Sequence, residues 1–449
     1  MATDNIPVSQ PPLSSRSRNY AIASASAYVV GEVCLAGHIL VLLALKFDAG
    51  NMVLGLLSFV TFAPHFFKIF TMSTVERIGK RKVLILWSSV AILFVIPFFL
   101  LPVLDKHWPA WASLGLILIV TLFRCTSTAL ASSGWWPILH DIIPAKITGR
   151  FFARLRTAWQ SAWLITTLAI AWFMWDSPDW WKFEILFMVA IAAYLVRVLT
   201  ILPIVEKPPQ INNSTTAISR FREVISNKSL RSLIKYTITF SAAIMIAEPF
   251  KVKMLKDFGY SYGYILAATS MVPLGAIVSL RLWGRWADRF GNRSILSICH
   301  IGLVISLAAW ILVGNNDFGG VLVFALYFFY SVFKSGVGIA QTRYIMHIVP
   351  ENKQNHINII TLSHPLMASC APLIAGLVLH FTNSNSFVGQ AVDIGNYRIL
   401  FIISALLLLP THIFYKKLKF EKDAPTKKVI IFITNFLLRI FRPSRRNNK

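Results

Sequence analysis

Apolar runs of about twenty residues, the length of one helical membrane crossing, recur along the whole chain and are each closed by charge, proline or glycine. They fall at 20–46, 51–72, 83–104, 110–136, 151–175 and 183–205, then at 232–255, 261–282, 295–313, 319–345, 356–381 and 396–415. In a bilayer every backbone N–H and C=O must be satisfied within the segment, and apolar runs of this length meet that demand as helices. The expectation is therefore an all-α integral membrane protein of twelve transmembrane helices in two six-helix halves. Only 14% of residues are charged and mean hydropathy is +0.62, which excludes a water-solvated two-domain chain.

The net charge of +25 would suit nucleic acid if it lay on one soluble face. It lies between the apolar runs instead, so no nucleic-acid partner is expected and the charge reports orientation. One set of turns carries Arg77, Lys80, Arg81 and Lys82, then Lys146, Arg150, Arg154 and Arg156, then the basic residues from Arg285 to Arg293. The opposite loops carry Asp48, Asp105, Asp176, Asp179 and Asp317. The excess of Lys and Arg on one side places both termini in the cytoplasm, of a plasma membrane or a bacterial inner membrane. The domain expectation is a tail at 1–19, a first half at 20–205, a linker at 206–231, a second half at 232–415 and a basic tail at 416–449. Val429 to Phe441 in that tail is too short to span. It reads either as an interfacial helix on anionic lipid or as a frayed tail that fixes topology. Cys34, Cys125, Cys299 and Cys370 each sit within an apolar run with no CxxC spacing, so neither metal nor cofactor is expected.

Two short charged turns mark the halves as repeats. Gly284-Arg-Trp-Ala-Asp-Arg-Phe-Gly-Asn-Arg293 joins the eighth and ninth runs, with Asp288 among Arg285, Arg289 and Arg293. Gly284 would allow close helix approach, and Gly291 can take the positive φ of a tight turn. The turn at 73–82 repeats its core with Glu76, Arg77, Gly79 and Arg81. Gly79 pairs with Gly291 at an offset of 212 (291 − 79), and Pro144 with Pro350 at 206 (350 − 144). Internal repeats of this kind are a signature of transporter folds.

The two turns resemble the G-x-x-x-D-R-x-G-R-R signature of the major facilitator superfamily, with Asn292 in place of one basic residue and Met72 where the first glycine of the earlier copy would be. The resemblance implies two pseudo-twofold-related halves with a solute site between them, lined by helices one, four, seven and ten. It also implies a cytoplasmic gate at these turns and at the loop holding Asp141 and Arg150. In similar transporters the acid of the turn reaches the other half when the cytoplasmic side is closed. Asp288 would then meet the start of helix five at Gly149 and Arg150, and Glu76 the start of helix eleven near Asn355 and His356. Asp288 would be the stronger of the two latches.

An ionisable side chain at mid-span costs about 2.5–3.5 kcal/mol on insertion scales and calls for a partner, water or a function. Glu32, Arg124, Glu248 and Lys334 stand out, one on each implied cavity helix. Arg124 and Lys334 differ by 210 (334 − 124), inside the repeat window, whereas Glu32 and Glu248 differ by 216 (248 − 32), outside it. Helical spacing groups Ser24 and Tyr28 with Glu32, Thr121, Thr128 and Ser132 with Arg124, and Tyr327, Tyr330 and Gln341 with Lys334. Pro249 offers a helix break beside Glu248. Two readings stay open for the four charges: they bind an anionic or polar solute and carry a coupling proton, or they are structural ion pairs. His38, His300 and His364 read as satisfied core histidines, and Gln160 and Asn358 as solute contacts or interhelical glue.

With no phosphate loop and no hydrolase or metalloprotease motif, neither ATP-driven transport nor an enzyme is expected. The expectation is a monomeric secondary transporter with a small-molecule substrate, protons as coupling ion and membrane lipid as its surroundings. A facilitative carrier is the first alternative, and a non-transporting sensor or membrane enzyme on the same fold the second.

Overall fold

A computed structural model describes residues 15–35, 37–144, 147–176, 178–206, 217–348, 359–384 and 395–416, with 429 and 431. Every regular element among them is helical. The first half holds α1 (Ser15–Leu35), α2 (Gly37–Leu45), α3 (Asn51–Phe62), α4 (Lys68–Ile78), α5 (Lys80–Leu93), α6 (Leu101–His107), α7 (Ala110–Ile142), α8 (Thr148–Phe173) and α9 (Trp180–Ile201). Next comes α10 (Ala217–Ser226), a helix inside the stretch expected to be a polar linker. The second half holds α11 (Lys228–Met245), α12 (Glu248–Asp257), α13 (Tyr262–Thr269), α14 (Met271–Phe290), α15 (Asn292–Ala308), α16 (Asp317–Ile348), α17 (Ser363–Ser384) and α18 (Gly395–Lys416). The segment Val429 to Phe441 lies almost wholly outside the described residues.

A helix occupies each of the twelve apolar stretches, and nine helical runs among the described residues are long and apolar enough to cross a membrane. Asn51–Phe67 and Tyr397–Thr411 are shorter apolar helices. The remaining stretch is α8, which is 26 residues long but carries Thr157, Gln160, Ser161, Thr166, Thr167 and three tryptophans. Large apolar side chains point outward along the bundle, among them Leu93, Ile165, Ile305, Val321 and Phe381. That outward apolar surface suits lipid contact, and the protein is an integral, multi-pass membrane protein.

The two short turns share one backbone conformation. Gly79 has φ 105° and ψ 148°, and Gly291 has φ 87° and ψ 163°. A side chain at either position would be strained, which explains glycine at both. Gly284 plays no such part: a Cβ there would meet nothing within 4 Å, so the close approach expected of it does not occur.

The apolar core is arranged unevenly along the bundle axis. At the end away from Glu206 and α10, here the far face, a single cluster draws on both halves, with Leu40, Leu54, Phe98 and Phe187 from one and Phe250, Leu255, Ile265 and Phe401 from the other. Toward the linker face it divides into two. Tyr236, Trp283, Leu296 and Tyr344 form the centre of the second half, while Leu84, Ile138, Leu139 and Phe151 do so in the first. The halves meet where α3 packs on α17, where α8 packs on α13 and α14, and where α2 packs on α12. Small residues permit the first two contacts. A Cβ on Gly55 would come 2.7 Å from the Pro372 carbonyl oxygen, one on Gly376 would come 2.5 Å from that of Asn51, and Gly263 lies against Ala171 and Trp175. The Tyr397 hydroxyl adds a polar tie, donating to Asp257 Oδ2 at 3.0 Å and lying 3.4 Å from Asn51 Oδ1.

Candidate functional site

Two helices are broken near mid-membrane, and the breaks are related by the repeat. In the first run the regular helix is interrupted at Gly37, the first residue of α2, which takes φ +56°. The seventh parts between Met245 and Glu248, where Ala247 has φ −100° and ψ −3° and Pro249 brings no N–H to the first turn of α12. Gly37 and Ala247 differ by 210 (247 − 37), the offset that relates Arg124 to Lys334. The short segments α2 and α12 that follow the breaks are the ones that pack on each other at the far face.

In the first half the charges close on themselves. Arg124 is wholly buried, and its Nη1 donates to Glu32 Oε1 at 3.0 Å and to the Tyr194 hydroxyl at 2.9 Å. Tyr194 donates in turn to the same Glu32 oxygen at 2.7 Å. Nη2 turns to the Leu35 carbonyl oxygen at 3.4 Å. Gly31 leaves the room that the Tyr194 ring fills. Arg197, also buried, lies 4.0 Å over the ring of Tyr28, a cation–π contact in a dry setting. Arg124 is thus held within its own half.

The second half has a different arrangement. Glu248 is the first residue of α12, where the helix dipole favours negative charge. Its Oε2 accepts from Lys251 Nζ at 2.6 Å, one helical turn on. Lys251 is buried beneath three rings, with Nζ 4.5 Å from the centroid of Tyr330, 5.4 Å from Trp310 and 5.9 Å from Tyr327. Lys334 reaches over the same Tyr330 ring at 5.3 Å and makes no ion pair among the described residues. The hydroxyls of Tyr327 and Tyr330, Trp310 Nε1 and Gln341 Nε2 are buried without a hydrogen-bond partner among the described residues. Such donors are satisfied by water or by a bound polar group. Of the polar stripe on helix four, Thr128 and Ser132 bond back to carbonyls of their own helix, while the Thr121 hydroxyl is unpaired, as is that of Ser24 on α1.

His38 reaches the second cluster from the first half. It stands at the start of α2, half-buried, and its ring meets Tyr327 edge-on with centroids 6.1 Å apart. It is also the repeat counterpart of Glu248 (248 − 38 = 210), at the offset that Glu32 misses. His300 is a core histidine, with Nε2 3.1 Å from the Tyr236 hydroxyl. Lys251 and Arg197 belong to the site although sequence reasoning passed over them. The spacing could have found both, because Lys251 is i+3 from Glu248 and Arg197 is i+3 from Tyr194.

The side chains of the linker face tie each half to itself. Lys80 Nζ lies 2.6 Å from Asp141 Oδ2, and Glu206 Oε2 accepts from the Arg81 backbone N–H at 2.8 Å. Arg81 Nη1 donates to the carbonyl oxygens of Leu202 and Ile204, each at 3.1 Å. Asp288 Oδ1 accepts from Arg343 Nη1 on α16 at 2.6 Å. This bond lies within the second half. Arg77, Arg150, Arg289 and Arg293 are exposed. The side chain of Glu76, and Asn355, His356 and Asn358 altogether, lie outside the described residues.

The profile of the Major Facilitator Superfamily matches residues 20–360 and 236–443, nearly the entire chain. No curated protein matches the sequence. Among solved structures, a variant of the nucleoside transporter NupG is 12% identical, covers 90% of this chain and 100% of its own, and superposes with a TM-score of 0.70. A bacterial homologue of the iron transporter ferroportin in an inward-facing state is 12% identical over 90% of this chain and 98% of its own, with a TM-score of 0.64. A D-xylose-proton symporter is 14% identical over 88% of this chain and 95% of its own, with a TM-score of 0.61. At these identities the likeness is one of fold.

Proposed function

The chain belongs to the major facilitator superfamily, and we propose that it moves a small anionic or polar solute across the membrane by alternating access, coupled to protons. The observation that carries this reading is the charge balance at the helix breaks. Glu32 and Glu248 face four cations, Arg124, Arg197, Lys251 and Lys334, a formal excess of +2 (4 − 2) before His38 is counted. An unbalanced positive charge in a membrane interior is costly, and an anionic solute would relieve it. The linker face, rich in Lys and Arg, is the cytoplasmic one in this proposal. The halves, 20–205 and 232–415, rock about the site, and the pairs Lys80–Asp141 and Asp288–Arg343 keep the gate loops rigid within each half.

The two carboxylates take different parts. Glu32 holds Arg124 and gives the first half its shape. Glu248 carries the proton: its side chain is 25% exposed, and protonation would release Lys251 from the 2.6 Å contact. A freed Lys251 adds to the cationic surface offered to the solute, so proton and anion binding would reinforce each other. The proton gradient supplies the driving force in this proposal.

Purified protein in liposomes loaded with a pH-sensitive dye tests this, with acetate, succinate, inorganic phosphate and xylose supplied outside. One of the anions is expected to drive proton entry, and Glu248→Gln is expected to reduce that flux at least tenfold while the protein remains folded. Solute movement that survives both Glu248→Gln and collapse of the gradient would make the protein a facilitative carrier and end the coupling reading.

A further inference from the structure

The helix α10 lies just outside a membrane crossing. It is 10 residues long, about 15 Å, too short to span, and it ends where Asn227, with φ −72° and ψ 120°, caps α11. The Asn227 side chain accepts from the backbone N–H of Ser229 at 3.0 Å and of Leu230 at 3.2 Å. Its extended backbone turns the chain between the two helices, and the apolar run Lys228–Asp257 starts at the next residue. Phe221, Val224 and Ile225 stand at i, i+3 and i+4, on one face of α10. Val224 is wholly buried in the linker-face core of the second half, which fixes how α10 sits. Phe221 and Ile225, on the same face, remain 46% and 40% exposed. Beside them Arg222 is exposed, and Lys228, Arg231 and Lys235 form an exposed i, i+3, i+7 stripe on the first turns of α11. Glu223 is the single acid between residues 217 and 235, and none of these four cations makes an ion pair among the described residues.

Apolar side chains left out of the core, directly before a span and flanked by cations, suit the boundary between lipid headgroups and acyl chains. There Phe221 and Ile225 leave water for acyl chains, while Arg222, Lys228 and Arg231 meet lipid phosphates. Lys235, about 10 Å further along α11 than Lys228, returns its ammonium to the same level on its long stem. A protein partner fits less well, because two apolar side chains make a patch far below the roughly 800 Å² per side of a stable interface. We propose that α10 and the start of α11 form a docking surface for anionic phospholipid in the linker-face leaflet. Phe221 and Ile225 enter the acyl region, and Arg222, Lys228 and Arg231 hold the headgroup phosphate. Val224 and the Asn227 cap fasten this surface to the second half, so the lipid is held against that half. The inference is independent of which solute the protein carries.

Full-length protein in lipid nanodiscs tests the surface. A bimane on Ile225→Cys, read against the equally labelled parent to remove any signal from Cys370, is followed in mixtures of phosphatidylcholine and phosphatidylglycerol. One lipid or the other carries brominated chains, which quench the dye on contact. Both brominated lipids are expected to quench, with phosphatidylglycerol preferred at the site by about fivefold or more, the effect of one basic residue at an anionic surface. In the same labelled background, Arg222→Gln/Lys228→Gln/Arg231→Gln is expected to bring the preference within about twofold of parity, and Arg222→Lys/Arg231→Lys to retain it. No quenching by either lipid would mean that α10 does not touch the bilayer and would overturn the proposal. Equal quenching by the two lipids in the parent would overturn it too, as would a preference that the triple variant keeps at the parent's level. Loss of the preference on adding inorganic phosphate would assign the cations to a free anion and not to lipid.

Discussion

Glu32→Ala is expected to destabilise the protein by about 3 kcal/mol or more, the cost of leaving a buried ion without its partner. Arg124 has no solvent exposure, and Glu32 is its carboxylate partner. Without that carboxylate, the Tyr194 hydroxyl also loses its acceptor, and Arg124 keeps only neutral partners, that hydroxyl at 2.9 Å and Leu35 and Cys125 at 3.4 Å each. Glu32 is 24% exposed, so water entering from the cavity side can recover part of the loss, which places the effect at the lower end of the range for buried pairs. Glu32→Gln keeps an acceptor and should cost less. The double change Glu32→Leu/Arg124→Met removes both charges and should restore much of the stability, since a buried pair replaced by apolar groups is often close to neutral. Thermal unfolding in one detergent, followed across the four proteins, reads the series. An unchanged midpoint for Glu32→Ala would mean that another anion or water already satisfies Arg124.

The second large effect is expected at the glycine seam. In Gly376→Leu the new Cβ would fall 2.5 Å from the Asn51 carbonyl oxygen and 3.2 Å from the Gly55 Cα, both backbone atoms of the other half that cannot turn aside. Overpacking of this kind costs about 1–3 kcal/mol. Here it falls on one conformation only, the one in which α3 and α17 touch at the far face. The equilibrium between the two faces should therefore move by about 5- to 150-fold away from the closed far face. A thiol placed at Ala49, which is 1% exposed at that face, would report the change as faster labelling by a membrane-impermeant reagent. If Gly376→Leu left both labelling and transport as they were, the seam would not be a moving contact.

Much of this architecture could be seen in the sequence because it depends on spacing along the chain. The twelve apolar stretches each hold a helix, and Gly79 and Gly291 share a positive φ because the same turn is built twice. The match of the superfamily profile agrees with the resemblance carried by those two turns. The site was only partly visible, because its pairings depend on which helices come together. Glu32 and Arg124 could be picked out as costly mid-span charges, but Tyr194 reaches them from α9, and no periodicity predicts that contact. Lys251 was hidden by its proximity to the charged end of its run at Lys253, Lys256 and Asp257. His38 resembled a core histidine until the break at Gly37 set it against Tyr327. Asp288 was read through the closed state of similar transporters, and in the conformation seen here its partner is Arg343.

The uneven core has a consequence for how the two faces balance. Closing the linker face would merge the two smaller apolar clusters and divide the larger one, so the transition exchanges one dry interface for another of different extent. Apolar surface that meets water changes heat capacity in proportion to its area. The equilibrium constant between the faces is then curved in temperature, and cooling, which weakens apolar association, favours whichever face needs the smaller shared cluster. With the larger cluster at the far face, cold water works as a wedge there, and the organism's growth temperature becomes one of the quantities that sets the resting state of this protein.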